Sequence, residues 1–261
     1  MVPEAIRRRA SLAALSLAAV AAMTAAADGG APATIAQVKA SIVAVGTFER
    51  LRNPQFSFAG TGFVVGDGLL VATNDHVVPK ALNNERGETI AVAIPGADRT
   101  VQIRTARRVA SDAGSDLVLL GIDGKPLPAL ALGDAQAVRE GEWYLFTGFP
   151  IGSVLGLFPV THRAMIAAVT PIAIPAPRAD QLDARSARRL GAASFPVFQL
   201  DGTAYPGNSG SPVYHPQSGA VIGIVNSVFV KGTREAALAQ PSGITYAIPA
   251  RQLIELLQDA R

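Results

Sequence analysis

The 261-residue chain contains no cysteine. That absence excludes a disulfide scaffold, a thiolate nucleophile, an iron–sulfur site and thiolate-bound zinc. There are only three histidines and no H-E-x-x-H pattern, which leaves little for a metal enzyme. Charge is also scarce, at 16% of residues against 49% hydrophobic. Such a composition belongs to a compact globular chain and argues against disorder or a coiled coil. The formal net charge of +3 sits mostly at the N-terminus, where Arg7, Arg8 and Arg9 outweigh Glu4. Beyond residue 27 there remain 20 basic and 19 acidic residues. A body so nearly neutral gives no reason to expect nucleic acid or an anionic membrane as partner. After the same point no segment is long and apolar enough to span a bilayer.

What is present begins with residues 1–27, which have the three parts of a secretory signal. Arg7 to Arg9 form a basic start, Ala10 to Thr24 an uncharged run rich in Ala and Leu, and Ala25-Ala26-Ala27 a small-residue cleavage site before Asp28. The alternative is an uncleaved N-terminal anchor, but the run is Ala-rich rather than Leu-rich, which favours cleavage. The arginines followed by Ser11-Leu12 also weakly resemble a twin-arginine signal. The expectation is an exported protein, periplasmic or extracellular, that touches a membrane only if this segment stays uncleaved.

From Ile42 onward, short β-rich runs recur between Gly, Pro, Asn and Asp residues. They are Ile42–Phe48, Gly62–Val65, Leu69–Thr73, Ile90–Ile94, Val101–Val109 and Leu117–Ile122, then Trp143–Gly148, Met165–Ile174, Val197–Gln199, Pro212–Tyr214, Val221–Val225 and Ile244–Ala247. Val65-Gly66-Asp67-Gly68-Leu69 has the Asp-Gly signature of a hairpin. Many short strands at this spacing predict an all-β sandwich or barrel pair. Thr34 to Lys39 reads as a short leading helix. A terminal helix follows Pro249, with Leu253, Ile254, Leu256 and Leu257 on one face. Asp123 to Pro128, with two prolines and a glycine, is the expected seam between two β units. Pro175 to Pro196 reads as a long loop, of the kind that is functional or mobile. Its four arginines and two aspartates suit a solvated loop better than a dedicated acid-binding surface. Gly60-Thr61-Gly62 with Gly66 faintly resembles a dinucleotide fingerprint, but it leads into strands rather than a helix, so no cofactor is expected there.

Pro206-Gly207-Asn208-Ser209-Gly210-Ser211-Pro212 is the most informative stretch. Glycines on both sides of Asn-Ser allow a tight turn and a close approach by a substrate. In such a turn the N–H groups of Gly207 and Ser209 can converge on a developing oxyanion. A serine nucleophile needs a base, held in turn by a third group. His76 closes the apolar run Leu70-Val71-Ala72-Thr73-Asn74-Asp75, where a rigid element would place it. His162 and His215 read as structural or surface residues. Asp116, leading directly into Leu117-Val118-Leu119-Leu120, is the carboxylate most strongly pulled inward, and a buried carboxylate needs a partner such as an imidazole N–H. Asp112 is followed by Ala113-Gly114, with no strand to carry it inside. Asp75 adjoins the base but should face the other way.

The order His76, Asp116, Ser209 is that of chymotrypsin. Together, Thr73-Asn74-Asp75-His76-Val77-Val78, Ser115-Asp116-Leu117-Val118-Leu119 and Pro206-Gly207-Asn208-Ser209-Gly210 resemble the trypsin-like serine peptidases of the bacterial Do/high-temperature-requirement type. Leu132-Gly133-Asp134, Gly148-Phe149-Pro150-Ile151-Gly152 and Gly243-Ile244-Thr245-Tyr246-Ala247-Ile248-Pro249 are similar to that family too, and the likeness extends over residues 34 to 257.

The resemblance implies a double six-stranded antiparallel β-barrel, chymotrypsin-like, with a C-terminal helix. Residues 28–261 would form the peptidase domain, with barrels at about 34–125 and 129–248 and the helix at 249–260. It implies an endopeptidase acting on protein or peptide substrates without cofactor or metal. Thr203, six residues before the nucleophile, would lie at the base of the substrate pocket. Not being an acid, it disfavours Lys or Arg and suits small or aliphatic residues. The backbones of Asn226, Ser227 and Val228 would pair with an extended substrate.

Gly210-Ser211 stands where the family has Gly-Gly. That feature is similar to the glutamyl endopeptidase branch, but Val225 stands where that branch carries its glutamate-recognising histidine. The chain ends soon after the terminal helix, so the family's peptide-binding PDZ domain is not expected. Relatives of this type are often trimeric through N-terminal segments, and the short residues 28–40 leave an oligomer open. The competing expectation is a catalytically silent peptide-binding module on the same fold.

Overall fold

A computed structural model describes residues 30–96, 100–171, 195–226 and 243–260. Its strands are β1 (Ile42–Phe48), β2 (Phe56–Val65), β3 (Leu70–Asn74), β4 (Thr89–Pro95), β5 (Val101–Asp112) and β6 (Leu117–Ile122), then β7 (Trp143–Gly148), β8 (Val160–Pro171), β9 (Pro196–Asp201), β10 (Pro212–Tyr214), β11 (Val221–Asn226) and β12 (Ile244–Pro249). Helices α1 (Gly30–Lys39), α2 (Gly152–Leu155) and α3 (Ala250–Asp259) complete the described elements of any length. The strands close into two antiparallel barrels of six, ordered β1-β2-β3-β6-β5-β4 and β10-β11-β12-β9-β8-β7. This is the chymotrypsin-like double barrel with a C-terminal helix.

The apolar runs fall where strands form because most central strands are buried on both faces. In β1, Val43 and Val45 point into one apolar cluster, while Ile42 and Ala44 join another. The same division holds in β6, with Val118 and Leu120 on one side and Leu117 and Leu119 on the other. One cluster is the interior of the first barrel, and a counterpart around Phe146, Ile166, Phe198 and Leu200 fills the second. The remaining cluster is the seam between them, joining Ile42, Phe63, Leu117 and Leu119 to Leu145, Tyr214, Ile224, Ile248 and Leu253. Strands enclosed on both faces read as continuous apolar runs rather than alternating ones.

Two strand boundaries differ from the sequence expectation in an instructive way. The second strand starts at Phe56 rather than Gly62, pairing Phe56, Ser57 and Phe58 with Phe48, Thr47 and Gly46 after a bulge between Val45 and Gly46. Its glycines and half-exposed face conceal it from a reading based on apolar runs. Similarly, β8 begins at Val160 rather than Met165, because its outer half is mostly exposed or half-buried. The expected end of that run at Ile174, most of the loop at 175–196 and the export segment at 1–27 lie outside the described residues.

The Asp67-Gly68 turn joins β2 to β3 as expected, with Gly66 and Gly68 at φ +65° and +89° and the Asp67 carboxylate accepting from Leu69 N at 3.0 Å. The terminal helix buries Leu253 and Leu256 across β5 and β6 of one barrel and β11 of the other, so it clasps the seam from outside. No helix among the described residues is long and apolar enough to cross a membrane.

Candidate active site

The pairing of β3 with β6 sets Asn74 opposite Leu117. The residue just past the end of β3 and the residue just before β6 are therefore neighbours at one rim of the first barrel. His76 does not lie on the strand itself but in a one-turn 3-10 helix, Asp75–Val77, that follows it. Asp116 likewise precedes β6 rather than opening it, in a left-handed conformation with φ +57°. The turn that delivers it is built by Asp112, whose carboxylate accepts from Gly114 N at 2.9 Å, Ser115 N at 3.2 Å and Ser115 Oγ at 2.6 Å. Such an aspartate-centred turn leaves Asp112 at the surface and carries Asp116 inside.

His76 Nδ1 lies 2.6 Å from Asp116 Oδ2, and His76 N donates to Asp116 Oδ1 at 3.0 Å. A carboxylate only accepts, so this contact places the imidazole proton on Nδ1 and leaves Nε2 as the basic nitrogen. Asn226 Nδ2 donates to the same Oδ2 at 2.8 Å, across 110 residues of sequence. The Asp116 carbonyl accepts from Asp75 N at 3.0 Å and Asn74 Nδ2 at 3.2 Å. Asp75 turns away from this pair, as its position predicts, and forms an ion pair with Arg108. Arg108 also donates to Val78 O at 2.8 Å, so one guanidinium brackets the turn that carries His76.

Ser209 is buried in the loop between β9 and β10. Its segment meets the His76 turn over Gly60. A Cβ built on Gly60 would stand 2.8 Å from the Val77 side chain and 3.1 Å from the Ser209 carbonyl. Within the loop, Gly207 and Gly210 have φ of +100° and +87°, the left-handed conformations that the sequence's glycines permit. The Pro206 carbonyl accepts from Ile151 N at 2.7 Å and the Asn208 carbonyl from Ser211 N at 3.0 Å. Because a trans peptide aims its N–H opposite its C=O, the Gly207 and Ser209 N–H groups are directed away from those two partners.

Thr203 is half-buried, bracketed by the Thr245 hydroxyl, which donates to Gly202 O and accepts from Ala204 N at 2.9 Å. Asn226 is buried at the end of β11, while Ser227 and Val228 lie outside the described residues. The other two histidines sit apart from this rim. His162 stacks on Phe146 at 4.8 Å, and burial pushes its imidazole below the ordinary value. His215 stands edge-on to Tyr144 at 6.1 Å. Among the described residues there is no cluster of three His, Asp or Glu side chains able to hold a metal ion.

Sequence reasoning missed Asn226 as a partner of Asp116, Thr61, whose hydroxyl donates to Gly207 O at 2.7 Å, and the Asp75–Arg108 pair. The first two are joined to the site only when the barrels close. Asp75 beside His76 was legible, but its arginine lies 33 residues away on β5.

Two six-stranded barrels, one carrying a serine in a glycine-bounded turn and the other a histidine–aspartate pair, define the chymotrypsin-like class. The chain belongs to the trypsin-like peptidase domain family, whose model matches residues 60–224. Among its curated relatives are proteins named "probable periplasmic serine endoprotease DegP-like". The one from Marinomonas sp. (strain MWYL1) is 28% identical over 207 residues, covering 79% of this chain and 36% of the relative. That from Pseudomonas fluorescens is 30% identical over 190 residues, covering 73% and 32%. The one from Hahella chejuensis is 29% identical over 213 residues, covering 81% and 38%. The chain thus spans about a third of the length of these relatives. Among solved structures, the HtrA-type protease AlgW with decapeptide shares the fold, with a TM-score of 0.62 at 24% identity over 87% of this chain and 66% of that one. A variant of that protease with a tripeptide gives 0.59, over 86% and 61%.

Proposed function

We propose that this chain is an exported serine endopeptidase that cleaves protein or peptide substrates through an acyl-enzyme. The observation that carries the reading is the 2.6 Å contact between His76 Nδ1 and Asp116 Oδ2, on the rim that faces the Ser209 loop. Ser209 Oγ attacks the scissile carbonyl while His76 Nε2 takes its proton, and the same nitrogen then returns that proton to the leaving amine. Asp116 holds the imidazole in the required tautomer and stabilises its charged form. The N–H groups of Gly207 and Ser209 receive the negative charge that develops on the carbonyl oxygen. Water attacks the acyl-enzyme by the same route in reverse.

Thr203 at the base of the pocket offers no charge to a Lys or Arg side chain, so small or aliphatic residues are the expected choice before the scissile bond. Asn226 closes β11, and its backbone together with those of Ser227 and Val228 would pair with the substrate as a further strand. Residues 1–27 direct export, and the relatives' names support a periplasmic destination.

The test is labelling of the mature chain with a fluorophosphonate, mapped by mass spectrometry. A single adduct on Ser209, lost in Ser209→Ala and in His76→Ala, is the expected result. A folded chain that takes no adduct would overturn the reading in favour of a catalytically silent peptide-binding module.

A further inference from the structure

Thr61, in the middle of β2, belongs to the first barrel but makes its hydrogen bonds largely to the second. Its side chain is wholly buried. The hydroxyl donates to Gly207 O at 2.7 Å and accepts from Phe149 N at 3.0 Å. Its backbone N–H donates to Ser209 O at 2.9 Å. Its carbonyl accepts from Thr73 Oγ1 at 2.6 Å, which ties this residue to the strand leading to His76. A Cβ on Gly210 would come within 2.0 Å of that same carbonyl, so the loop is seated directly against it.

These bonds fix the peptide planes that matter for an oxyanion. The direction of the Gly207 N–H is set by the Pro206 carbonyl, held by Ile151 N at 2.7 Å. Ile151 follows two residues after Phe149, whose N–H the Thr61 hydroxyl accepts. On the other side of Gly207, the carbonyl is held by Thr61 directly. One hydroxyl therefore fixes one flank of Gly207 itself and the other through the 149–151 segment. The loop's own buried side chains do not share this work: Asn208 Oδ1, Asn208 Nδ2 and Ser211 Oγ are buried without a hydrogen-bond partner among the described residues.

We infer that Thr61 is a positioning residue for the oxyanion site, a latch by which the first barrel holds the Gly207–Ser209 turn of the second in its productive shape. It touches neither substrate nor reacting atoms and acts through the orientation of the Gly207 N–H. The inference rests on the peptidase reading above and goes beyond it by assigning a role to a residue outside the triad and the loop.

The test compares Thr61→Val, which keeps the shape and removes the hydroxyl, with Thr61→Ser, which keeps the hydroxyl. Each is measured in the full mature chain for kcat and KM on a chromogenic peptide, for the fluorophosphonate labelling rate, and for affinity toward a peptide boronic acid and the matching free product peptide. Loss of an oxyanion donor outright costs about 10²–10³ in kcat, so a misdirected one should lower kcat and labelling by roughly 10- to 100-fold in Thr61→Val. Boronate affinity should fall in step, while KM and product affinity hold within about two-fold and Thr61→Ser stays near the parent. A purely structural residue would lower the melting temperature and leave these ratios unchanged per folded molecule. A folded Thr61→Val with the parent's kcat and boronate affinity overturns the inference. If that variant does not fold, Thr61→Cys, a weaker donor of similar size, replaces it, and parental values there overturn the inference equally. An unlabelled parent chain overturns the peptidase reading and this inference together, whereas a labelled parent with an unaffected variant defeats only the role of Thr61.

Discussion

Asp116 accepts from His76 N, His76 Nδ1 and Asn226 Nδ2, so its carboxylate is held in one orientation from two sides. Removing the Asn226 donor leaves a buried acceptor with one bond fewer, and a hydrogen bond to a charged group is worth about 1.5–3 kcal/mol. Asn226→Leu should therefore slow fluorophosphonate labelling of Ser209 by roughly ten-fold with the fold retained, and an unchanged rate would show that β11 contributes nothing to the pair. His162 carries a different consequence. Burial depresses its pKa below 6.5, so the unfolded chain takes up a proton that the folded chain refuses. By linkage, this site's contribution to stability is intact above about pH 6.5 and declines as pH falls toward the depressed value. His162→Phe preserves the stacking on Phe146 and removes the titration. Its urea midpoint should change less than the parent's between about pH 7 and pH 5, and identical slopes would count against the assignment.

The loop between β9 and β10 shows what an element can demand of single residues. Gly210 has φ +87°, and a Cβ there would stand 2.0 Å from the Thr61 carbonyl. Gly141 has nearly the same φ, +89°, with nothing near its Cβ. Left-handed backbone alone costs about 1–2 kcal/mol, so Gly141→Ala should lower the melting temperature by about 5 °C or less and leave labelling intact. Gly210→Ala adds a backbone clash and should abolish labelling of Ser209 while far-UV circular dichroism still reports folded barrels. Normal labelling of Gly210→Ala would mean that the turn relaxes without consequence. The glycines of this loop were legible in sequence because only a few residue types tolerate such conformations. The two turns that present His76 and Asp116 were legible only in part. Asn74-Asp75-His76 continues the polar end of a strand, and nothing in it separates extended backbone from a 3-10 turn. Asp116 at positive φ belongs to a residue type that visits this region occasionally, so the spacing from Asp112 through Gly114 was the only available hint.

At the scale of the molecule, the apolar runs disclosed two sets of strands, but the contacts that complete the site depend on how the barrels close and meet. Thr61 and Gly207 are 146 residues apart, and Asn226 and Asp116 are 110 apart. Local periodicity carries no information at such separations, which is why the three motifs were readable in order and the contacts between them were not. The apolar cluster shared by the two barrels predicts that they unfold as one cooperative unit. Leu119 is fully buried in the seam cluster that also contains Leu145, Tyr214, Ile224 and Leu253. Leu119→Ala leaves a cavity on the first-barrel side of that seam and should cost about 2–5 kcal/mol. The only tryptophan, Trp143, stands at the start of β7 in the second barrel with Arg163 4.3 Å above its ring, so its fluorescence reports that barrel separately. If the seam couples the barrels, Leu119→Ala will move the Trp143 transition and the far-UV circular dichroism transition to the same lower denaturant concentration, with slopes unchanged. A Trp143 transition that stays at the parental midpoint while circular dichroism splits in two would show that the barrels unfold independently. The seam would then be a contact surface between two stable domains rather than a shared core, and the coupling of the Ser209 loop to the His76 rim would rest on hydrogen bonds such as those of Thr61 alone.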